Sequence, residues 1–171
     1  MHPRRDLVTR ITTCIWSNYT AEEQAVFYTS LIPDSRIVRI ERTPIDTPSQ
    51  KAGDVIIAEI ELAGHRYLLL NGGPMFQHSE AMSFIIHTPD QAETDRLWAA
   101  ITADGGAESQ CGWCKDKWGV SWQITPDRLM ELVWDNPDKA AAQRAMRAMM
   151  TMRKIDIARI ESAAAGEPVS A

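Results

Sequence analysis

The sequence predicts an α+β protein: two tandem βαβββ modules, followed by a helical C-terminal appendage. Three observations carry that expectation. An apolar run, a helix-capping pattern and a helix occur twice in the same order, offset by 70 residues, Ile11 standing against Ala81. Each helix is followed by short segments with strand character. Residues 126–171 have no counterpart in the repeat and are dense in helix formers. The organisation expected is therefore residues 1–74, 75–125 and 126–171.

The first repeat opens with Ile11-Thr12-Thr13-Cys14-Ile15-Trp16 and the second with Ala81-Met82-Ser83-Phe84-Ile85-Ile86. Each is a largely apolar run of strand length. Thr20 with Glu23, and Asp90 with Glu93, form capping boxes in which the cap oxygen accepts from an early helix N–H and the glutamate reaches back. Apolar positions at helical spacing follow, Ala25, Phe27-Tyr28 and Leu31-Ile32 in one repeat and Ala92, Leu97-Trp98 and Ile101 in the other. Pro33-Asp34 ends the first helix and Gly105-Gly106 the second.

Strands are predicted over Arg36–Glu41, Val55–Leu62 and Tyr67–Leu70, then over Ala107–Gln110, Cys111–Lys115 and Val120–Thr125. Ala58, Ile60 and Leu62 alternate with Glu59 and Glu61, as a sheet with one wet face requires. Ala63-Gly64-His65 and Asp116-Lys117-Trp118-Gly119 read as hairpin turns, and Asn71-Gly72-Gly73-Pro74 closes the first half. In the last region Asp135-Asn136-Pro137-Asp138 starts a helix, Ala140 to Met152 continues it, and Met146, Met149 and Met150 form one apolar stripe. Lys154–Ala165 makes a further short helix before Gly166. Lys139–Glu161 holds six basic and two acidic residues, which reads as a solvated helical face docked on an acidic sheet domain.

Composition sets the class. A chain of 171 residues with 44% hydrophobic and 24% charged residues is globular, not fibrous or disordered. Its apolar runs are far shorter than the ~20 residues that span a bilayer, and no apolar stretch after Arg4-Arg5 suggests a secretory signal. A net charge of −5 gives no general attraction to nucleic acid or acidic membranes. The three cysteines point to reduced thiols in the cytoplasm.

Several residues tempt a chemical reading. Cys111-Gly112-Trp113-Cys114 has redox CxxC spacing. In a strand, residues three apart point to opposite faces roughly 10 Å apart, whereas a disulfide needs Cα atoms within ~7 Å. Only a local turn at Gly112 would bring the two thiols together. His87 ends a strand and reads as a cap on the next helix, with a pocket acid or base as the alternative. His65 and His78 read as solvated, and His2 belongs to the terminus. Six tryptophans, four of them between Trp98 and Trp122, suit a core, a small-molecule cup or a dimer interface. Met75-Phe76-Gln77-His78 reads as a loop over the mouth of such a cup. No glycine-rich turn leads from a strand into a helix in the manner of a Rossmann-like cofactor site; Gly72-Gly73 precedes a proline and Gly105-Gly106 follows a helix.

Paired βαβββ modules resemble the vicinal oxygen chelate superfamily (glyoxalase I, bleomycin-resistance proteins and extradiol dioxygenases). Within it the chain resembles the PhnB-like branch, whose members often carry the name 3-demethylubiquinone-9 3-methyltransferase. The resemblance is carried by Ala21-Glu22-Glu23 through Phe27-Tyr28, by Leu70-Asn71-Gly72-Gly73-Pro74 through Ser83-Phe84, by Gln110 through Ile124, and by Met152 through Ala158. It implies a mixed sheet, cupped between the two modules, that holds a ligand or a metal. Metal-using relatives draw His, Glu or Gln ligands from the first and last strands of each module. The resemblance places Thr13 and Ser83 at the first-strand positions, and the repeat offset pairs the same two residues. Gln123 and Leu69 fall at the last-strand positions. Two hydroxyls, an amide and a leucine are poor ligands for a divalent cation, so neither metal nor cofactor is expected.

The function expected is binding of a small organic molecule in a non-metal cup lined by Thr13, Ile15, Ser83, Ile85, Trp113 and Gln123. The carrier would be a cytoplasmic, bacterial-type homodimer. The alternatives are a metal-dependent isomerase, lyase or dioxygenase using Gln123, and a dimer scaffold without a ligand. Methyl transfer is not expected despite the branch's name. Nothing in the sequence names a substrate.

Overall fold

The computed structural model describes residues 11–167, so His2 and the start of the chain lie outside the described residues. They fall into two compact units, the first ending at Gln77 and the second beginning at His78.

The first unit contains β1 (Thr13–Ser17), α1 (Ala21–Leu31), β2 (Arg36–Arg42), β3 (Val55–Leu62) and β4 (His65–Asn71). Its four-stranded sheet has the order β1-β4-β3-β2, with β1 parallel to β4 and the other pairs antiparallel. Alternation in β3 sends Ala58, Ile60 and Leu62 into the core with Ile15, Leu69 and the α1 residues Ala25, Tyr28 and Leu31. Glu59 and Glu61 stay on the other face and pair with Arg39, Arg66 and Arg36. Ala63-Gly64 makes a two-residue hairpin with φ of 44° and 83°, the sign a type I′ turn needs at both positions.

The second unit repeats the plan with β5 (Ser83–Thr88), α2 (Gln91–Thr102), β6 (Ala107–Glu108), β7 (Trp113–Lys115) and β8 (Ser121–Pro126), in the order β5-β8-β7-β6. Its strand β5 is again parallel to β8. Three helices follow, α3 (Asp127–Val133), α4 (Lys139–Met149) and α5 (Ile157–Ala165). The α+β class, the two four-stranded mixed sheets and the C-terminal helices are those expected. The helix α3 was not; Pro126 and Asp127 start it directly from the strand, and Leu129, Leu132 and Val133 bury its inner side.

Caps differ from expectation in one helix. Asp90 accepts from Glu93 N at 2.9 Å, and Asp138 and Asp156 cap α4 and α5 likewise. Thr20 makes no side-chain cap bond. The first N–H of α1, on Ala21, instead donates to Asn71 Oδ1 at 2.9 Å, and the Thr20 hydroxyl accepts from Gln24 Nε2. Met146 and Met149 pack on a cluster containing Leu129, Ile155 and Ile160, but Met150 is exposed at the end of α4 and leaves the expected stripe.

The segment expected as a strand over Cys111–Lys115 also departs from regularity. Cys111 and Gly112 form a turn with φ of 57° and 83°, and β7 starts only at Trp113. Cys111 N donates to Met152 O, Gly112 N to Arg153 O, and Ile124 N to Gly112 O. A Cβ on Gly112 would lie 2.8 Å from Ile124 O, so this close passage of three chain segments admits only glycine.

Candidate functional site

Pleating sorts the second sheet into two faces. Cys114, Trp122, Ile124 and Thr88 are buried on the side that α2 covers with Leu97, Trp98 and Ile101. Ser83, Ile85, His87, Trp113 and Gln123 fall on the opposite, open side. Register places Gln123 between Ile85 on β5 and Trp113 on β7, and the next row holds Ser83, Ser121 and Lys115. Gln123 Nε2 donates to Ser83 Oγ at 2.8 Å. As an acceptor there, the serine keeps its own O–H to donate. The result is a hydroxyl–amide pair flanked by an isoleucine, 54% exposed, and an indole. Four of the six residues expected to line a cup thus share one surface.

The other two do not share the corresponding surface of the first sheet. Ile15 is 2% exposed and packs in the core against α1, and Thr13, opposite Tyr67 in register, falls on that same side. The reason is a correction to the repeat. Ser17 bonds Gln24 at 3.0 Å just as Thr88 bonds Thr94 at 2.6 Å, each buried pair tying a strand end to its helix. These equivalences hold the helices at an offset of 70 but shift the strands to 71, Ser17 matching Thr88. The extra residue sits between β1 and α1, where Tyr19 adopts φ of 61°. Shifting a strand by one residue flips every side chain. The structural counterparts of Ser83, Ile85 and Gln123 are therefore Thr12, Cys14 and Leu68, not Thr13, Ile15 and Leu69.

On the open side of the first sheet lie Cys14, Trp16, Leu68 and Leu70. Trp16 Nε1 donates to Gly73 O at 2.7 Å, its ring meets Phe76 edge-on at 4.8 Å, and a Cβ on Gly72 would lie 2.2 Å from the indole. Gly-Gly-Pro thus forms a floor for the tryptophan, and Phe76 and Met75 stand exposed beyond it.

The superfamily's metal can be tested on these residues. In either register its positions carry hydroxyls, one amide and a leucine, a donor set that does not fit a divalent cation. Among the described residues, no group of three or more His, Cys, Asp or Glu side chains is placed to hold one. The cysteines are free thiols. Burial and the neighbouring carboxylates of Asp116 and Glu108 push the Cys114 thiol up to about 12. It stays protonated and poorly nucleophilic.

His87 is not a helix cap. Asp90 fills that role, and His87 Nδ1 lies 3.5 Å from Asp127 Oδ1, both groups being more than half exposed. Sequence reasoning missed this carboxylate because α3 was not foreseen. The Pro-Asp step directly after a strand was its only signal. His65 is exposed at the start of β4, and His78 is half-buried in its loop.

Two four-stranded mixed sheets, each with its first strand parallel to its fourth and followed by a helix, are consistent with the vicinal oxygen chelate superfamily that the sequence resembles. More narrowly, the family described as 3-demethylubiquinone-9 3-methyltransferase matches residues 9–125, and the chain belongs to it. The PhnB protein of Bacillus cereus, described under the same methyltransferase name, is 32% identical, with 69% of this chain and 99% of that one covered and a TM-score of 0.62. A protein from Pseudomonas aeruginosa shares the fold at 17% identity and a TM-score of 0.52, with 70% and 98% covered. No curated protein matches the chain.

Proposed function

We propose that this protein binds a small organic molecule on the open side of its second sheet, without a metal. The observation that carries the reading is the Gln123–Ser83 bond held between Ile85 and Trp113. A hydroxyl donor beside an amide, bounded by an indole and an aliphatic side chain, is the composition of a pocket that orients a small oxygen-bearing ligand. The reading includes a homodimer, supported by exposed Met82 and Ile85, and a cytoplasmic location, supported by three free thiols. The organisation into residues 1–74, 75–125 and 126–171 is part of it, supported by a family match that stops at residue 125. No glycine-rich cofactor turn supports methyl transfer.

Native mass spectrometry with elemental analysis of freshly purified protein tests the reading. A dimer retaining a small organic mass and no stoichiometric divalent metal is expected; about one metal per chain overturns the non-metal site. The variant Ser83→Trp is expected to stay folded and to lose the retained mass. Retention by a folded variant refutes this surface.

His87 and Asp127 favour one second reading, an enzyme using an imidazole–carboxylate pair as acid or base on the same surface. His87→Ala separates the two. Ligand retention unchanged by the substitution supports binding alone, whereas slowed conversion of the retained molecule supports catalysis.

A further inference from the structure

An open cavity of about 400 Å³ is walled by α4 and α5. Three arginines line it, Arg144 and Arg147 on α4 and Arg159 on α5. Elsewhere guanidinium charge is neutralised within the fold. The other seven arginines among the described residues are each ion-paired with an aspartate or glutamate. Arg144, Arg147 and Arg159 are the exceptions, and one cavity collects all three. The basic run Lys139–Glu161 is thus divided. Arg153 and Lys154 pair with Glu108 and Asp95, as expected of helices docked on an acidic sheet domain, whereas these three arginines do not take part.

Arg144 is the fixed member. Its Nε donates to Ala163 O at 3.1 Å and to Ala164 O at 3.2 Å, and its Nη2 also donates to Ala164 O. A cation on the last carbonyls of a helix accounts for that side chain by itself, yet its Nη1 donors remain uncommitted among the described residues. No such account covers its neighbours. Arg159 Nη2 reaches only the Thr151 hydroxyl, at 3.3 Å, and Arg147 makes no side-chain hydrogen bond or ion pair among the described residues. Both are exposed and open to a ligand. Glu167 is the single carboxylate in the lining, so three guanidiniums against one carboxylate leave a net charge of +2. Ala148 and Ala163 supply apolar wall.

We propose that this cavity is a second binding site, for a phosphate monoester of a small organic alcohol. The phosphate dianion matches the net charge, and its oxygens accept from guanidinium forks, Arg144 held in place and Arg147 and Arg159 closing from either helix. The short carbon body lies against Ala148 and Ala163. A carboxylate or a phosphate diester brings half the charge and fits less well. The site shares no residue with the second-sheet surface around Gln123.

Isothermal titration of the whole chain with glycerol 3-phosphate, at about pH 7.5 where the phosphate carries close to two charges, tests the site. Saturable one-to-one binding is expected, with a shift of the Arg144 Nε–H signal in an ¹⁵N-correlation spectrum. The double variant Arg147→Gln/Arg159→Gln is expected to weaken binding at least about tenfold with its melting curve unchanged. Glu167→Gln, which removes the opposing charge, is expected to tighten it. Dimethyl phosphate, a singly charged diester, is expected to bind at least about tenfold more weakly than the monoester. Ser83→Trp, on the other surface, is expected to leave the affinity unchanged. No saturable binding, unchanged affinity in the folded Arg147→Gln/Arg159→Gln variant, weaker binding by Glu167→Gln, dimethyl phosphate bound as tightly as the monoester, or loss of binding in a folded Ser83→Trp variant overturns the proposal.

Discussion

Asp116 offers the sharpest test of how the second sheet is held. It is 3% exposed, at the head of the turn between β7 and β8. Its Oδ1 accepts from Trp118 N and Val120 N, both at 3.0 Å, and its Oδ2 from Trp122 Nε1 at 2.9 Å. Asp116→Ala strands the Val120 N–H and the Trp122 indole N–H, on residues 4% and 1% exposed. Each buried orphan costs about 1–3 kcal/mol, so the variant loses about 4 kcal/mol. At roughly 2–4 °C per kcal/mol for a chain of this length, the melting temperature falls by about 8–16 °C. Asp116→Asn keeps an acceptor for the two backbone donors but turns an NH₂ group toward the indole N–H. It should lose about half as much. Differential scanning calorimetry, with near-ultraviolet dichroism to follow Trp122, measures both. An Asp116→Ala variant melting within about 2 °C of the parent, or an Asn variant as damaged as the Ala variant, refutes the carboxylate as the organiser of this turn.

Two further outcomes follow from other packing details. Gly72→Ala drives a methyl group into the Trp16 indole, which Gly73 O and Phe76 hold in place, and should cost about 1–3 kcal/mol by thermal melting. Cys114, whose folded thiol titrates near 12, should resist an aromatic disulfide reagent that modifies exposed Cys14. Because its folded pKa is raised, the unfolded chain releases that proton first. Stability should therefore fall as pH rises from the ordinary thiol range toward 12, and Cys114→Ala should flatten the fall in urea titrations.

Much of the fold was legible because its signals were local. The alternation in Val55–Leu62, the Ala63-Gly64 turn and the Asp90 cap each depend on residues within a few positions. The side of the second sheet that carries Ser83, Ile85, Trp113 and Gln123 was legible for the same reason. What failed was the transfer between halves. A fixed offset assumes equal connections, yet the first strand reaches its helix through Asn18, Tyr19 and Thr20 while the second uses Pro89 and Asp90. The backbone absorbs the extra residue at Tyr19, and no hydrophobic pattern announces it. The Cys111-Gly112 turn was hidden because its partners, Met152 and Arg153, are some forty residues away and offer only backbone carbonyls. The Thr20 cap failed for a related reason: Asn71, fifty positions on, reaches the Ala21 N–H instead.

That turn also bears on the order in which the chain acquires its structure during synthesis. All the strand pairing of the first sheet is complete once Asn71 has been made. The second half has no such independence. The Cys111 and Gly112 amides await Met152 and Arg153, and the Gln91 side chain, at the start of α2, grips Ile155 O and Ile157 N. A nascent chain released after β8 would leave those donors in water and lack the helices' core cluster, all of whose members lie beyond Pro126. The strand pairing of the first half is therefore in place early, while the second half stays provisional until Met152 to Ile157 have emerged. Premature termination or C-terminal proteolysis would damage the surface around Gln123 while sparing the half of the molecule translated first.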